Sequence, residues 1–122
     1  MMQAQQVKNE LIQKVKDING KQVIIEKVVL PSADALKKVA FELKNQFKAL
    51  FMVLAAQIDG KPQIAVVIGD AIGDEFHAGN IVRDLAKEIQ GGGGGQPFYA
   101  TAGGKDLNGL DSVVVKAKEI IG

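Results

Sequence analysis

A run of five consecutive glycines is the segment of this 122-residue chain whose residue types most strongly suggest a function. The run consists of Gly91, Gly92, Gly93, Gly94 and Gly95. Ordering glycine costs more backbone entropy than ordering any other residue. Such a segment is retained where bare main chain must approach a ligand, or where the backbone conformation excludes a side chain. Free backbone N–H groups attract anions, so the run is a candidate nucleic-acid-binding loop.

Two aromatic residues follow the glycines, after Gln96 and Pro97. An exposed aromatic side chain beside bare main chain can stack on an unpaired base. Alternatively, Phe98 and Tyr99 only pack their strand, in which one side chain points inward and the other outward. Both interpretations stay open at this point. The candidate nucleic-acid-binding residues in this region are Gln96, Phe98, Tyr99 and, in the turn that follows, Lys105.

His77 is the only histidine, and it stands at the start of a predicted helix. The simple interpretation is a helix cap or a surface residue. Asp70, Asp74 and Glu75 precede it, and carboxylates at a helix N-terminus are favoured by the helix dipole alone. We keep His77 as a candidate nucleic-acid contact, and we predict no catalytic residue, no metal site and no cofactor.

The glycine run does not fit the known nucleotide-binding loops. A P-loop follows a strand and ends in Lys-Ser or Lys-Thr, and a dinucleotide fingerprint lies between a strand and a helix. Here a predicted helix at 76–90 precedes the glycines and Gln96-Pro97 follows them. We therefore do not expect a nucleoside triphosphate or dinucleotide site.

Composition restricts the remaining possibilities. The chain is 47% apolar, carries a net charge of +1 and lacks cysteine, which is typical of a globular protein in a reducing compartment such as the cytoplasm. It has no stretch that could cross a membrane and no signal peptide at its start. Its lysines are either solvated helix faces or a strip that faces phosphates. Arg83 is the only arginine, which nearly excludes base recognition by paired arginines.

Hydrophobic periodicity predicts an α/β fold: a mixed sheet of four or five strands packed with helices and preceded by an N-terminal linker helix. Asp59-Gly60 joins two apolar runs, which predicts an antiparallel hairpin at the sheet centre. Ser32 is a plausible N-cap. The predicted helices lie at 3–18, after Ser32, at 76–90 and at the C-terminus, and the predicted strands at 22–30, 49–58, 63–68 and, as an edge strand, 98–102.

Three segments together resemble the C-terminal domain of alanyl-tRNA synthetases, which belongs to the DHHA1 group shared with DHH-type phosphoesterases. They are His77-Ala78-Gly79, the glycine run with Gln96-Pro97, and Ala100-Thr101-Ala102-Gly103-Gly104. The segment from Ile18 to Ile25, with its Asn-Gly turn, is similar as well. The chain departs from the family at Gln96, where the family has Arg, and at Phe98, where it has Asp.

The resemblance implies that residues 1–19 are the end of a helical, coiled-coil-like linker. Residues 20–122 would form the DHHA1-type domain, with a glycine-rich loop at 91–95. The domain would be a non-catalytic fragment of an ATP-binding alanine–tRNA ligase. It would hold the outer corner of an alanine-accepting tRNA, act with upstream domains and aid dimer formation.

Two alternatives stay open: the substrate-binding domain of a DHH-type phosphoesterase, and a dimerisation module that never binds RNA. If the glycines serve RNA binding, Gly93→Val is expected to weaken that binding more than it lowers the melting temperature.

Overall fold

The computed structural model describes residues 4–121 of the chain. The helices are α1 (Ala4–Gln13), α2 (Ala33–Gln46), α3 (Ala78–Ala86) and α4 (Leu110–Ile121). The strands are β1 (Lys16–Ile18), β2 (Lys21–Val29), β3 (Leu50–Ile58), β4 (Lys61–Ile68), β5 (Gly92–Gly95) and β6 (Tyr99–Gly103). Short 3₁₀ turns cover Asp70–Ile72, Lys87–Ile89 and Leu107–Gly109.

The strands form one mixed sheet in the order β1-β2-β3-β4-β6-β5. Strands β2 and β3 are parallel and are connected through α2, whereas the other neighbouring pairs are antiparallel. The predicted α/β class with a mixed sheet is confirmed. The sheet has six strands rather than four or five, because both edge strands, β1 and β5, escaped the sequence prediction.

The N-terminal helix is shorter than the predicted helix at 3–18, whose first residue lies outside the described part. Helix α1 ends at Gln13, and β1 pairs with β2. Asn19 and Gly20 both have positive φ, of 53° and 83°. Two such residues between paired strands form a tight hairpin turn. The Asn-Gly pair that looked like a helix stop is therefore the turn between β1 and β2.

The glycine run is an edge strand, which corrects the predicted loop. Gly92 pairs with Gly103 and Gly95 with Ala100 of β6. Strand β6, predicted as the edge, therefore lies second from it, between β4 and β5. Glycine has low strand propensity, so composition gave no signal for this strand.

The sheet separates two apolar layers. Helices α1 and α2 cover one face, and α3 and α4 cover the other. The central strands β3 and β4 are buried on both faces and form the predicted hairpin, with Asp59 and Gly60 at positive φ in its turn. Ser32 caps α2 as predicted, because its Oγ accepts a hydrogen bond from the Ala35 N–H at 3.1 Å.

Helix α1 packs onto this body through Val7 and Leu11, which are buried beside α2. That α1 ends a longer linker stays a prediction. None of the helices within residues 4–121 has both the length and the apolar character required to cross a membrane.

Candidate nucleic-acid interface

Strand β5 is held on both sides. Along β6, the Gln96 N–H donates to the Tyr99 carbonyl at 2.8 Å, which closes the turn of this hairpin. On the opposite side, the Gly91 N–H donates to the Ala86 carbonyl at the end of α3, at 3.0 Å. At the other end of α3, a Cβ atom on Gly79 would lie 3.0 Å from the Gly95 carbonyl oxygen, so glycine there lets helix and strand approach closely.

Hydrogen-bonded and non-hydrogen-bonded residue pairs alternate along an antiparallel ladder. Since the Gln96–Tyr99 pair is hydrogen-bonded, Gly94 and Gly92 also direct their N–H and C=O groups to β6. The N–H and C=O groups of Gly93 and Gly95 therefore point away from β6. On this side the Gly95 carbonyl faces Gly79 of α3. Gly93 is exposed, so its outward groups on this edge strand are available to a ligand.

Three of the five glycines are required by the packing of β5 against its neighbours. A Cβ atom on Gly93 would lie 2.5 Å from Ala102 Cα. On Gly95 it would lie 2.7 Å from the Tyr99 carbonyl oxygen, and on Gly91 it would lie 2.6 Å from Gly104 Cα. Real Cβ atoms do not approach other atoms so closely, so a side chain at these positions would displace the strand.

The other two glycines are not required in this way. A Cβ atom on Gly92 would have no heavy atom within 4 Å, and one on Gly94 would have only Arg83 Nε, at 3.8 Å. Neither residue has positive φ. The protein's own packing therefore leaves room for side chains at Gly92 and Gly94.

The turn between β5 and β6 presents Phe98 to solvent, with 42% of the residue exposed. Its main chain is fixed, since the Phe98 carbonyl accepts from the Ile68 N–H at 2.9 Å. Tyr99 is half-buried and packs on Phe41 of α2, with ring centroids 4.7 Å apart. Burial raises the pKa of the Tyr99 hydroxyl above its ordinary value. Phe98 is thus the aromatic side chain that is available to a ligand.

His77 is the N-cap of α3: its Nδ1 accepts a hydrogen bond from the Asn80 N–H at 3.2 Å. The next amide, Ala78 N–H, donates to the Pro97 carbonyl at 2.7 Å and fixes the hairpin turn to the helix start. His77 therefore has a structural role beside the candidate surface, and direct contact with nucleic acid stays a prediction.

We expect His77→Ala to lower the free energy of unfolding by about 1 kcal/mol, because an N–H of the first helical turn loses its acceptor. His77→Asn provides another capping oxygen and should retain most of the stability. Urea denaturation of the three proteins measures the difference. Equal stability of all three would contradict the capping role.

The structure divides the predicted site residues into two groups. Gln96, Phe98 and His77 lie together at the hairpin turn. Lys105 is exposed at the opposite end of β5, where its N–H donates to the Ile89 carbonyl at 2.8 Å. Four residues of extended chain separate the two ends by roughly 13 Å. One extended ligand could reach both ends, whereas a small one could not.

The acidic residues before His77 do not gather into a metal site. Asp70 forms an ion pair with Lys44 at 3.0 Å, and Glu75 forms one with Lys21 at 3.2 Å. Within residues 4–121 there is no group of three or more His, Asp or Glu side chains placed to hold a metal ion.

Two further residues lie beside this surface, although they were not among the predicted site residues. Lys44 Nζ lies 5.1 Å from the centroid of the Phe98 ring. Arg83 is exposed near Gly94, and the described residues give it no ion-pair partner. Helix periodicity placed both on polar faces but could not show that these faces border β5 and its turn.

Two concave grooves, of about 260 and 270 Å³, lie near the opposite edge of the sheet. They are lined mainly by residues of α1, β1, β2 and α4, and they contain none of the predicted site residues. Small-molecule sites are concave, whereas the surface around β5 is an exposed edge. This shape fits a macromolecule better than a small ligand.

Comparison with known proteins identifies similar chains. The family model of the DHHA1 domain matches residues 20–122. An alanine–tRNA ligase of Cytophaga hutchinsonii is 55% identical over 114 residues, which are 92% of this chain and 13% of the relative. The ligase of Christiangramia forsetii is 42% identical over 120 residues, or 97% of this chain and 14% of the relative. The chain thus spans only a small part of these relatives.

A solved structure, the C-Ala domain of Aquifex aeolicus alanyl-tRNA synthetase, resembles this fold with a TM-score of 0.78. The match covers 87% of this chain and 96% of that domain, at 23% identity. At this identity the similarity shows a common fold and no more.

Proposed function

Since the chain belongs to the DHHA1 domain family, we propose that it is an RNA-binding domain of an alanine–tRNA ligase and that β5 and its turn contact the tRNA. The predicted resemblance to the C-terminal domain of alanyl-tRNA synthetase is confirmed by the family match and the ligase relatives. Those relatives are enzymes. The proposed role of this chain is to hold RNA as one domain of such a ligase, without itself catalysing a reaction.

The observation that carries the proposal is the absence of side chains at Gly92 and Gly94. The packing of the protein does not require glycine at these two positions. Their glycines make the strand more costly to order. A ligand that lies directly against the main chain explains both facts, because any side chain there would hold it away.

The chemistry around β5 suits RNA. The outward N–H of Gly93 can donate to a phosphate oxygen or a base edge. The exposed ring of Phe98 can stack on an unpaired base. Arg83 on one side and Lys105 at the far end add positive charge that the described residues do not pair. We further propose that the domain contacts the outer corner of the tRNA, contributes to dimer formation and acts together with the upstream domains of the ligase.

Binding of the 122-residue chain to an alanine-accepting tRNA transcript, at two salt concentrations, tests the proposal. We expect binding that weakens steeply with salt, because counterions released from phosphates contribute to affinity. Absence of binding even at low salt would contradict RNA binding by this chain. A dimer in solution without RNA binding would favour the dimerisation module instead.

Arg83 is expected to contact a phosphate that lies over Gly94. Arg83→Gln should weaken tRNA binding and reduce the slope of log affinity against log salt by about 0.7–0.9, the value for one lost phosphate contact. Lys118→Gln on α4 is the control, since it removes an exposed charge far from β5. An equal change of slope in both variants would mean that only the total charge matters.

A further inference from the structure

Lys44 is a cation held between two partners. Its Nζ lies 5.1 Å from the centroid of the Phe98 ring and 3.0 Å from Asp70 Oδ1. Only 15% of the Lys44 side chain is exposed, whereas 85% of the Asp70 side chain is exposed. The Lys44 side chain is thus largely covered and its charge is paired with Asp70, so Lys44 is not a free cation that waits for a phosphate.

Both neighbours of Lys44 are fixed to the sheet. The turn that carries Asp70 is fixed by two hydrogen bonds, from Gly69 N–H to the Leu50 carbonyl at 2.7 Å and from Ala71 N–H to the Lys48 carbonyl at 2.9 Å. The main chain of Phe98 is fixed by the hydrogen bond that its carbonyl accepts from the Ile68 N–H. The three side chains therefore meet at a defined place at one end of β3, β4 and β6.

We propose that Lys44 is a positioning residue, which together with Asp70 holds the Phe98 ring ready to stack on one unpaired RNA base. A cation over an aromatic ring is attracted by the ring's electrons. This attraction restricts the ring of the partly exposed Phe98 before the ligand arrives. A ring ordered in advance loses less entropy on binding, so affinity rises without any contact between Lys44 and RNA. The inference rests on the RNA-binding function proposed above.

The test is a double-mutant cycle with the tRNA transcript. We expect Lys44→Met to weaken binding about three- to tenfold in the unmodified chain and to have no further effect in the Phe98→Ala background, because interacting residues are non-additive. Lys44→Arg should restore most of the affinity. The salt slope should be the same with and without Lys44, since a positioning residue releases no counterion.

Lys27→Met is the matched control. Lys27 also pairs with an aspartate, Asp111, at 2.8 Å, but on the other side of the sheet. It therefore reports the effect of losing one lysine from a Lys–Asp pair, and we expect little change in affinity.

Three results would overturn the inference. Equal loss from Lys44→Met with and without Phe98 would show that Lys44 acts independently of the ring. A reduced salt slope would show direct phosphate contact. Unchanged affinity would show no role in binding. If the unmodified chain does not bind tRNA, the proposed function and this inference fail together, whereas binding that ignores Lys44 removes only the inference.

Discussion

Gly92→Val should stabilise the fold while weakening tRNA binding about tenfold or more. A side chain at this position meets no atom within 4 Å, and valine favours strand geometry more than glycine does. The gain in the free energy of unfolding should be about 0.5–1 kcal/mol, because the unfolded chain loses conformational freedom. The same side chain would hold RNA away from the main chain. Thermal denaturation and tRNA titration measure the two opposite effects.

Gly93→Val is the control for packing, and the structure predicts a different outcome from the one expected on sequence alone. Its Cβ atom would lie 2.5 Å from Ala102 Cα, so β5 must move or separate from β6. We expect a loss of about 2–4 kcal/mol of stability, as for severe overpacking. Loss of binding by Gly93→Val is therefore uninformative. Retention of full binding by Gly92→Val would show that RNA does not lie against the main chain at Gly92.

Phe98→Ala should weaken tRNA binding by about 1–3 kcal/mol, the usual effect of removing an aromatic side chain that stacks on a base. Stability should change little, because 42% of Phe98 is exposed and its ring contributes little to the core. Phe98→Trp keeps an aromatic surface and should keep most of the affinity. Titration of the three proteins with the transcript measures the effect.

Tyr99→Ala is the contrasting variant. Tyr99 packs on Phe41 and is half-buried, so its removal should lower stability as well as any binding. If Phe98→Ala binds tRNA like the unmodified chain, base stacking by Phe98 is excluded.

The buried part of the fold could be predicted from sequence, because burial determines it. Strands β3 and β4 are almost continuously apolar, and Asp59-Gly60 between them fits only a tight turn. The buried stripe of α2 repeats at three- and four-residue spacing, and Ser32 marks its start. Each of these patterns involves residues that are close together in the chain, so a single sequence is enough to recognise it.

The two edge strands could not be predicted, because they form by hydrogen bonding to a neighbouring strand and their own composition does not favour a strand. Strand β1 has three residues, two of them exposed, and it exists because Asn19-Gly20 folds it onto β2. Strand β5 has no side chain at all, so hydrophobic periodicity cannot detect it. Its pairing with β6 becomes visible only once the sheet is assembled.

For the candidate site, the sequence shows which residue types are present but not how they are arranged. Sequence identified the glycine run and the two aromatic residues. Only the structure distinguishes Gly92 from Gly93, because the difference depends on which direction each Cβ atom would take relative to β6. Lys44 lies 54 residues before Phe98 in the chain, so no local pattern connects it to that ring.

Amide chemical shifts of the 122-residue chain during titration with the tRNA transcript test the central claim most directly. Because each backbone N–H gives its own signal, this NMR measurement reports contact at main chain that has no side chains to mutate. We predict that the largest shifts fall on Gly92 to Gly95 and on Phe98, with smaller shifts near Arg83. Saturable tRNA binding that leaves the signals of the glycine strand unmoved, with shifts confined to another face, would contradict the claim.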